Sequence, residues 1–289
     1  MSRQPSISRT TVFQTKLLKV FCYVVLALTA VFSMLPLWIL LVNATHSHYE
    51  ILGHFTLWFG SSLGNNLKTL FTKTNMPVMS ALFNSLVIAA SVAALTSFFS
   101  TMTAFGIHAY NFRFKKAAYT FILMTLMIPS QVSAAGFVKE MAAMNLNDTF
   151  FPLILPAIAS SATVFFMRMY MQGALPMEVV EASRIDGANE FHTFLSIVMP
   201  IMKPAIAVQA IFAFIASWNN YFMPAMILNS NNKKTIPIII ASMRGADYMN
   251  QDYGLIYITL AVSIVPLIII YLFLSRYIIR GVSIGSVKG

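Results

Sequence analysis

Six long apolar runs separated by polar stretches set the pattern of this chain. They fall at 20–42, 80–107, 117–138, 151–172, 205–228 and 255–275. Each is long enough to cross roughly 30 Å of hydrocarbon as a helix. The pattern predicts an all-α, polytopic membrane protein: a polar segment 1–19, then one transmembrane domain over 20–289 with six transmembrane helices. The first run is too long for the apolar core of a signal peptide, and no A-x-A-like cleavage site follows it. It reads as a retained anchor.

Composition agrees. Of 289 residues, 58% are hydrophobic and 10% charged, and the mean hydropathy is +0.73. A soluble domain carries about 25% charged residues, so an ordinary cytosolic protein and a disordered chain are both excluded. One cysteine, Cys22, leaves no disulfide framework and no Cys-rich metal site. The net charge of +10 is informative through its placement. With the six spans drawn, thirteen Lys and Arg lie on the side of the termini and six on the other. Excess Lys and Arg mark the cytoplasmic face, which puts both termini in the cytoplasm. The acids divide four and five, leaving about +9 inside and +1 outside, so the basic balance is an orientation signal and not a nucleic-acid footprint.

Arg168 is the only charged residue in the spans, close enough to a cytoplasmic end to snorkel. No Asp, Glu or His sits at mid-membrane depth, which argues against a proton-coupled carrier and more weakly against a sodium-coupled one. There is no voltage-sensor arginine ladder, no potassium filter sequence, no phosphate-binding loop and no hydrolase or zinc motif. His46, His48 and His54 in the first external loop suggest a metal site only weakly, since scattered loop histidines usually ligate nothing. The chain carries no visible catalytic equipment and reads as a non-enzyme.

One segment departs from the pattern. Residues 176–204, between spans four and five, are amphipathic, cytoplasmic by the charge rule, and too long for a simple connection. Pro176 suits the first turn of a helix, Glu178 and Glu181 favour its N-terminal half, and Gly187 suits a left-handed stop. A second amphipathic stretch is expected to place Phe191, Leu195 and Val198 on its apolar face, with Glu190 and Thr193 turned away. Pro200 and Pro204 then bend the chain toward span five. Two readings stand on these residues alone: a helix pair resting on the bilayer, or a knob for a cytoplasmic protein.

A spacing decides between them. Glu181-Ala182-Ser183, then three residues, Gly187, then nine, Ile197, then one, and Met199-Pro200 resembles the E-A-A-x3-G-x9-I-x-L-P signature of ATP-binding-cassette importer permeases. Ser183 stands for the second Ala and Met199 for Leu. Further pieces resemble the carbohydrate-uptake branch, in particular subunits similar to the smaller maltose-transporter permease. They are Asn84-Ser85-Leu86, Arg184-Ile185-Asp186-Gly187-Ala188, Trp218-Asn219-Asn220-Tyr221 and the tail Gly285–Gly289. The resemblance runs from about residue 17 to the end.

The resemblance implies a permease subunit of a bacterial cytoplasmic-membrane importer working by alternating access. It would pair with a second, longer permease, two ATPase subunits and an extracytoplasmic solute-binding protein that delivers a carbohydrate. ATP and Mg would belong to the ATPase, with no cofactor on this chain. Glu181, Ala182, Ser183, Asp186, Gly187, Ile197 and Pro200 would form the ATPase contact, and Trp218, Asn219, Asn220 and Tyr221 would lie on the sugar pathway. For the last four, packing between helices is the competing role. The tail either reaches between the ATPases or is a frayed end. The competing class is a carrier or channel working alone.

Overall fold

The structure, a computed structural model, describes residues 9–73, 76–245 and 251–285. Among these residues all regular structure is helical. In chain order the helices are α1 (Arg9–Ala44), α2 (His48–Gly53), α3 (Leu63–Lys68), α4 (Val78–Ala109), α5 (Lys115–Thr125), α6 (Ser130–Ala143) and α7 (Phe151–Ile154). They continue as α8 (Ser161–Ala174), α9 (Met177–Ile185), α10 (Glu190–Thr193), α11 (Met199–Trp218), α12 (Phe222–Ile227), α13 (Ile236–Arg244) and α14 (Tyr253–Gly285). The chain divides into two compact units, Met1–Lys73 with Asn250–Ala261, and Thr74–Met249 with Val262–Gly289.

In the first unit, most of the apolar stretch Leu18–Ala44 of α1 is left uncovered by the rest of the chain, and only its end, at Val42 and Ala44, is buried. Its outward residues, such as Phe21, Val31 and Phe32, suit lipid or another apolar helix. Beyond α1 the chain turns through Thr45–Ser47, held by the Asn66 amide, which donates to the carbonyls of Ala44 and His46 at 3.0 and 2.9 Å. Ser47 and Glu50 form a reciprocal capping box on α2. The Ser47 N–H holds the Glu50 carboxyl below its ordinary pKa. The loop histidines have structural roles: His46 bonds the Val42 carbonyl, and His48 stacks on Tyr253 and accepts its N–H. Among the described residues, no group of three or more His, Cys, Asp or Glu is placed to hold a metal.

The second unit is organised around α4, against which α8 and α11 pack. Most of its buried positions are small or hydroxylated (among them Ala81, Ser85, Ala89, Ala93, Ser97, Ser100, Thr101 and Ala104), which lets neighbouring backbones approach closely. Hydroxyls from this face also hold the 3₁₀ segment Leu155–Ala159 that joins α7 to α8. Thr96 donates to the Ala157 carbonyl at 3.0 Å and Ser100 to the Ser160 carbonyl at 3.4 Å. At one end of α4 the main core gathers Phe105, Met167, Met171, Val180, Phe194, Val198 and Met202. It therefore joins α4 and α8 to the 176–204 segment.

Among the described residues, four helices are long and apolar enough to cross a membrane: Leu18–Ala44, Val78–Ala109, Phe151–Ala174 and Tyr253–Phe273. These coincide with four of the expected runs. The run at 205–228 differs at both ends. Glu190–Ile201 and Lys203–Trp218 meet at 81°, and the helix stops at Trp218, leaving Asn219–Tyr221 outside it. The expected single helix over 117–138 is two pieces of 11 and 14 residues, neither long enough to cross alone. Pro129 explains the break: it supplies no N–H and adopts an extended conformation, and the chain before it tightens into 3₁₀-type turns at Leu126–Ile128. Ser286–Gly289, the greater part of the tail singled out above, lie outside the described residues.

Candidate functional site

The segment 176–204 is built from the expected signals and several unexpected ones. Pro176 is extended and α9 starts at Met177, with Glu178 in its first turn and Arg184 in its last, both favourable to the helix dipole. The stop is a Schellman motif: the Gly187 N–H donates to the Arg184 carbonyl and the Ala188 N–H to the Ser183 carbonyl, each at 3.1 Å. Gly187 has φ +80°, which accounts for glycine there. A Cβ at Gly187 would meet no atom of this chain within 4 Å, so crowding inside the chain does not explain the residue.

Asn189 caps α10 by accepting the His192 N–H at 2.7 Å, and a π-helical stretch Phe194–Val198 follows. That stretch overturns the expected apolar face. Thr193, Phe194 and Val198 are the buried residues, while Phe191 and Leu195 are 59% and 41% exposed. The reason is twofold. The wider π turn shifts the helical phase, and the Ser183 and Thr193 hydroxyls bond at 2.8 Å inside the angle between α9 and α10. Thr193 is thereby satisfied while fully buried.

Of the seven candidate contact residues, Ala182, Ser183, Asp186, Gly187 and Ile197 line one shallow cavity of about 590 Å³, with Val179, Ala188 and His192. Glu181 and Pro200 are exposed outside it. The Glu181 carboxylate makes no hydrogen bond or ion pair to any described residue. Beside the cavity Ile185 is 86% exposed. Sequence reasoning passed over Ile185, although a large apolar residue one position before a helix stop, among polar neighbours, was its available signal. Behind the turn, Arg184 and Glu190 pair (Nε–Oε1 2.8 Å, Nη2–Oε2 3.3 Å), and the Tyr110 hydroxyl donates to Glu190 Oε2 at 2.5 Å. Arg184 holds the Glu190 carboxyl below its ordinary pKa, and burial raises that of the Tyr110 phenol.

The four candidate pathway residues separate in space. Trp218 is 2% exposed, stacked on Phe214 at 5.7 Å and packed on Ala89 and Ala93 of α4, so it offers no open face. Asn219 caps α11 and is exposed. Asn220 Oδ1 accepts the Met223 N–H at 3.4 Å and lines a cavity of about 690 Å³ with Ser133, Phe137, Glu140, Leu153 and Phe222. Tyr221 is half-exposed. The cavity sets an amide, a hydroxyl and a carboxylate over an apolar floor, a lining suited to a hydroxyl-rich ligand. Its α6 contributors, Ser133 and Glu140, escaped the sequence reading because one lies inside the helix expected over 117–138 and the other just past its end, with no spacing to single either out.

Beyond α12 the chain is fastened by two polar latches. Asp148 accepts the Asn229 and Ser230 N–H groups at 2.9 and 3.0 Å, the Ser230 hydroxyl at 2.5 Å and Lys233 Nζ at 3.2 Å. The Ser230 bonds, hydroxyl first, hold its carboxyl far below the ordinary carboxylate range. Asn84 donates to the carbonyls of Asn232 and Lys234 at 2.8 and 3.0 Å, and Ser85 Oγ accepts the Ile236 N–H at 2.9 Å. The Asn84-Ser85 pair thus ties the segment to α4.

Residues 97–284 match the family described as "Binding-protein-dependent transport system inner membrane component". The chain is 36% identical over 207 residues to the arabinooligosaccharides transport system permease protein AraQ of Bacillus subtilis, covering 72% of this chain and 73% of that one. It is 29% identical over 279 residues to the lactose transport system permease protein LacG of Rhizobium radiobacter, covering 96% and 99%. Its fold resembles a chain in the crystal structure of a bacterial ABC transporter involved in the import of the acidic polysaccharide alginate. There the TM-score is 0.78 at 18% identity, over 95% of this chain and 99% of that one.

Proposed function

The chain belongs to the binding-protein-dependent inner-membrane permeases of ABC importers, and from that premise we propose that it forms half of a carbohydrate translocation pathway driven by a separate ATPase. Six crossings with both termini cytoplasmic would complete its topology, the broken α5–α6 pair supplying the third. Its partners would be a second, longer permease, two ATPase subunits carrying ATP and Mg, and an extracytoplasmic binding protein. The names of the relatives, an arabinooligosaccharide and a lactose permease, favour an oligosaccharide or other carbohydrate as cargo.

The observation that carries the coupling half of this reading is the Schellman turn at Gly187. It brings together five of the seven signature residues at one surface, while Ile185 and Glu181, one turn apart on α9, stand exposed next to it in sequence, Glu181 with no side-chain partner among the described residues. An apolar knob beside an unpaired carboxylate suits a cleft with an apolar floor and a basic rim. Closure of the ATPase dimer on ATP would move this turn, and through the shared core the lower ends of α4 and α8, opening the pathway outward. Hydrolysis on the partner would reverse the movement.

Gly187→Val tests it, because a β-branched residue is strongly disfavoured at φ +80°. In the complete transporter in vesicles, uptake of labelled arabinotriose, maltotriose and lactose supplied together should be lost, as should ATP hydrolysis stimulated by the binding protein. The variant chain should still reach the membrane. Wild-type uptake in Gly187→Val would overturn the proposal.

A further inference from the structure

The Schellman turn is braced from behind by a three-residue cluster outside the signature. Arg184 closes α9 and Glu190 opens α10, so the ion pair spans the turn that carries Gly187. It is two-pronged, and each charge also complements its own helix end. Tyr110, the first residue beyond α4, meets both partners. Its hydroxyl donates to Glu190, and the Arg184 guanidinium lies 5.3 Å from its ring centroid. Behind Tyr110 the contact continues through Phe105, 5.9 Å away, to Phe194, 6.0 Å further on. Phe194 begins the π stretch that leads into α11. Tyr110 and Glu190 are 80 residues apart in sequence, so the cluster joins elements that the chain alone does not hold together.

An isolated surface ion pair would contribute little, and the Arg184 and Glu190 side chains are 32% and 44% exposed. What distinguishes this pair is what it connects. The two helices of the proposed ATPase-contacting loop are linked twice, by Ser183–Thr193 inside the angle and Arg184–Glu190 across its mouth. Tyr110 is the polar bond from that loop to α4, the helix around which the unit is organised. We infer that Tyr110, Arg184 and Glu190 are positioning residues that hold the loop at a fixed angle and pass its movement to the end of α4. The inference rests on reading this loop as the ATPase contact.

Three readouts in the complete transporter test it: ATPase subunits retained on purification, basal ATP hydrolysis, and uptake per ATP hydrolysed with the same three labelled sugars. Glu190→Ala should retain the ATPase and keep basal hydrolysis within about twofold, while uptake per ATP falls about tenfold, near the upper range for mutations along a coupling route. Glu190→Gln, which still accepts one N–H, should recover part of the loss. Tyr110→Phe, which keeps the ring and loses the donor, should cost about threefold alone and add nothing to Glu190→Ala, as expected of groups acting as one unit. Unchanged uptake per ATP in Glu190→Ala, or a loss that only follows loss of bound ATPase, would overturn the inference. If Gly187→Val is inactive while Glu190→Ala is normal, the cluster fails and the coupling reading stands. Normal uptake in both would overturn the coupling reading itself.

Discussion

The two ends of α11 solve opposite problems. At its start the chain makes an 81° bend and is held by an ion pair, a hydroxyl pair and a left-handed glycine, all within 176–204. At its end the helix stops at Trp218, and the following segment is fixed by groups distant in sequence: Asp148 to Ser230 across 82 residues, and Asn84 to Asn232 across 148. Mostly local bonds, with one remote tie from Tyr110 to Glu190, make the first end a stiff module. Remote bonds at the other end anchor the chain to the rest of the unit. On the proposed coupling to an ATPase, the first end would act as a lever and the second as a fixed wall.

The largest expected effect is at the wall. Trp218→Ala removes a buried indole stacked on Phe214 and should destabilise the subunit by about 3 kcal/mol. The readout is thermal unfolding of the detergent-solubilised complex. Normal stability with altered sugar affinity would instead move Trp218 from the core into the pathway.

Asp148→Ala should come next, at about 2 kcal/mol for a carboxylate receiving several hydrogen bonds. The cost should be localised, seen as faster amide exchange over residues 228–234. The latch also predicts a pH dependence with a definite sign. Because the native pKa lies below the usual value near 3.9, the stabilisation is present above that value and is lost as pH falls through the native pKa. Protection of 228–234 should therefore hold from pH 7 to about 4 and decline only below. Asp148→Asn should be weaker at pH 7 and lack that acid decline. An acid decline of equal size in Asp148→Asn would assign it to another group.

The same contrast explains what could be read in advance. The six runs, four of the spans and the position of Gly187 were legible because apolar length and fixed spacing are local signals. The broken third helix was hidden because Pro129 sits inside an otherwise continuous apolar pattern. Phe191 and Leu195 were misplaced because a 3.6-residue period was assumed across a π stretch. Asp148 gave no warning, since its partners lie more than 80 residues away. Arg184 and Glu190 were visible as charges, but without Tyr110 in view nothing gave them one task.

A smaller effect is expected at the cavity. Asn220 supplies the amide in its lining, so Asn220→Ala should weaken sugar affinity several-fold, a change of about 1 kcal/mol for one hydrogen bond, with stability nearly unchanged. Uptake titrated with each of the three labelled sugars gives the comparison. An unchanged half-saturating concentration for all three would leave Asn220 only as the acceptor of the Met223 N–H at the start of α12.

The smallest effect should come from the lever itself, at Ser183, where the resembling signature has Ala. Ser183→Ala deletes the hydroxyl pair inside the angle, yet the Thr193 hydroxyl retains the Asn189 carbonyl at 3.2 Å, so no buried donor is left unpaired. The cost should then be an ordinary hydrogen bond at about 0.5–1 kcal/mol, without the larger penalty of an orphaned group. Uptake per ATP should stay within about twofold, because the outer Arg184–Glu190–Tyr110 brace still fixes the angle. A tenfold loss in Ser183→Ala with intact assembly would place the angle's control on the inner bond, and the lever would then be set by its hydroxyls and not by its charges.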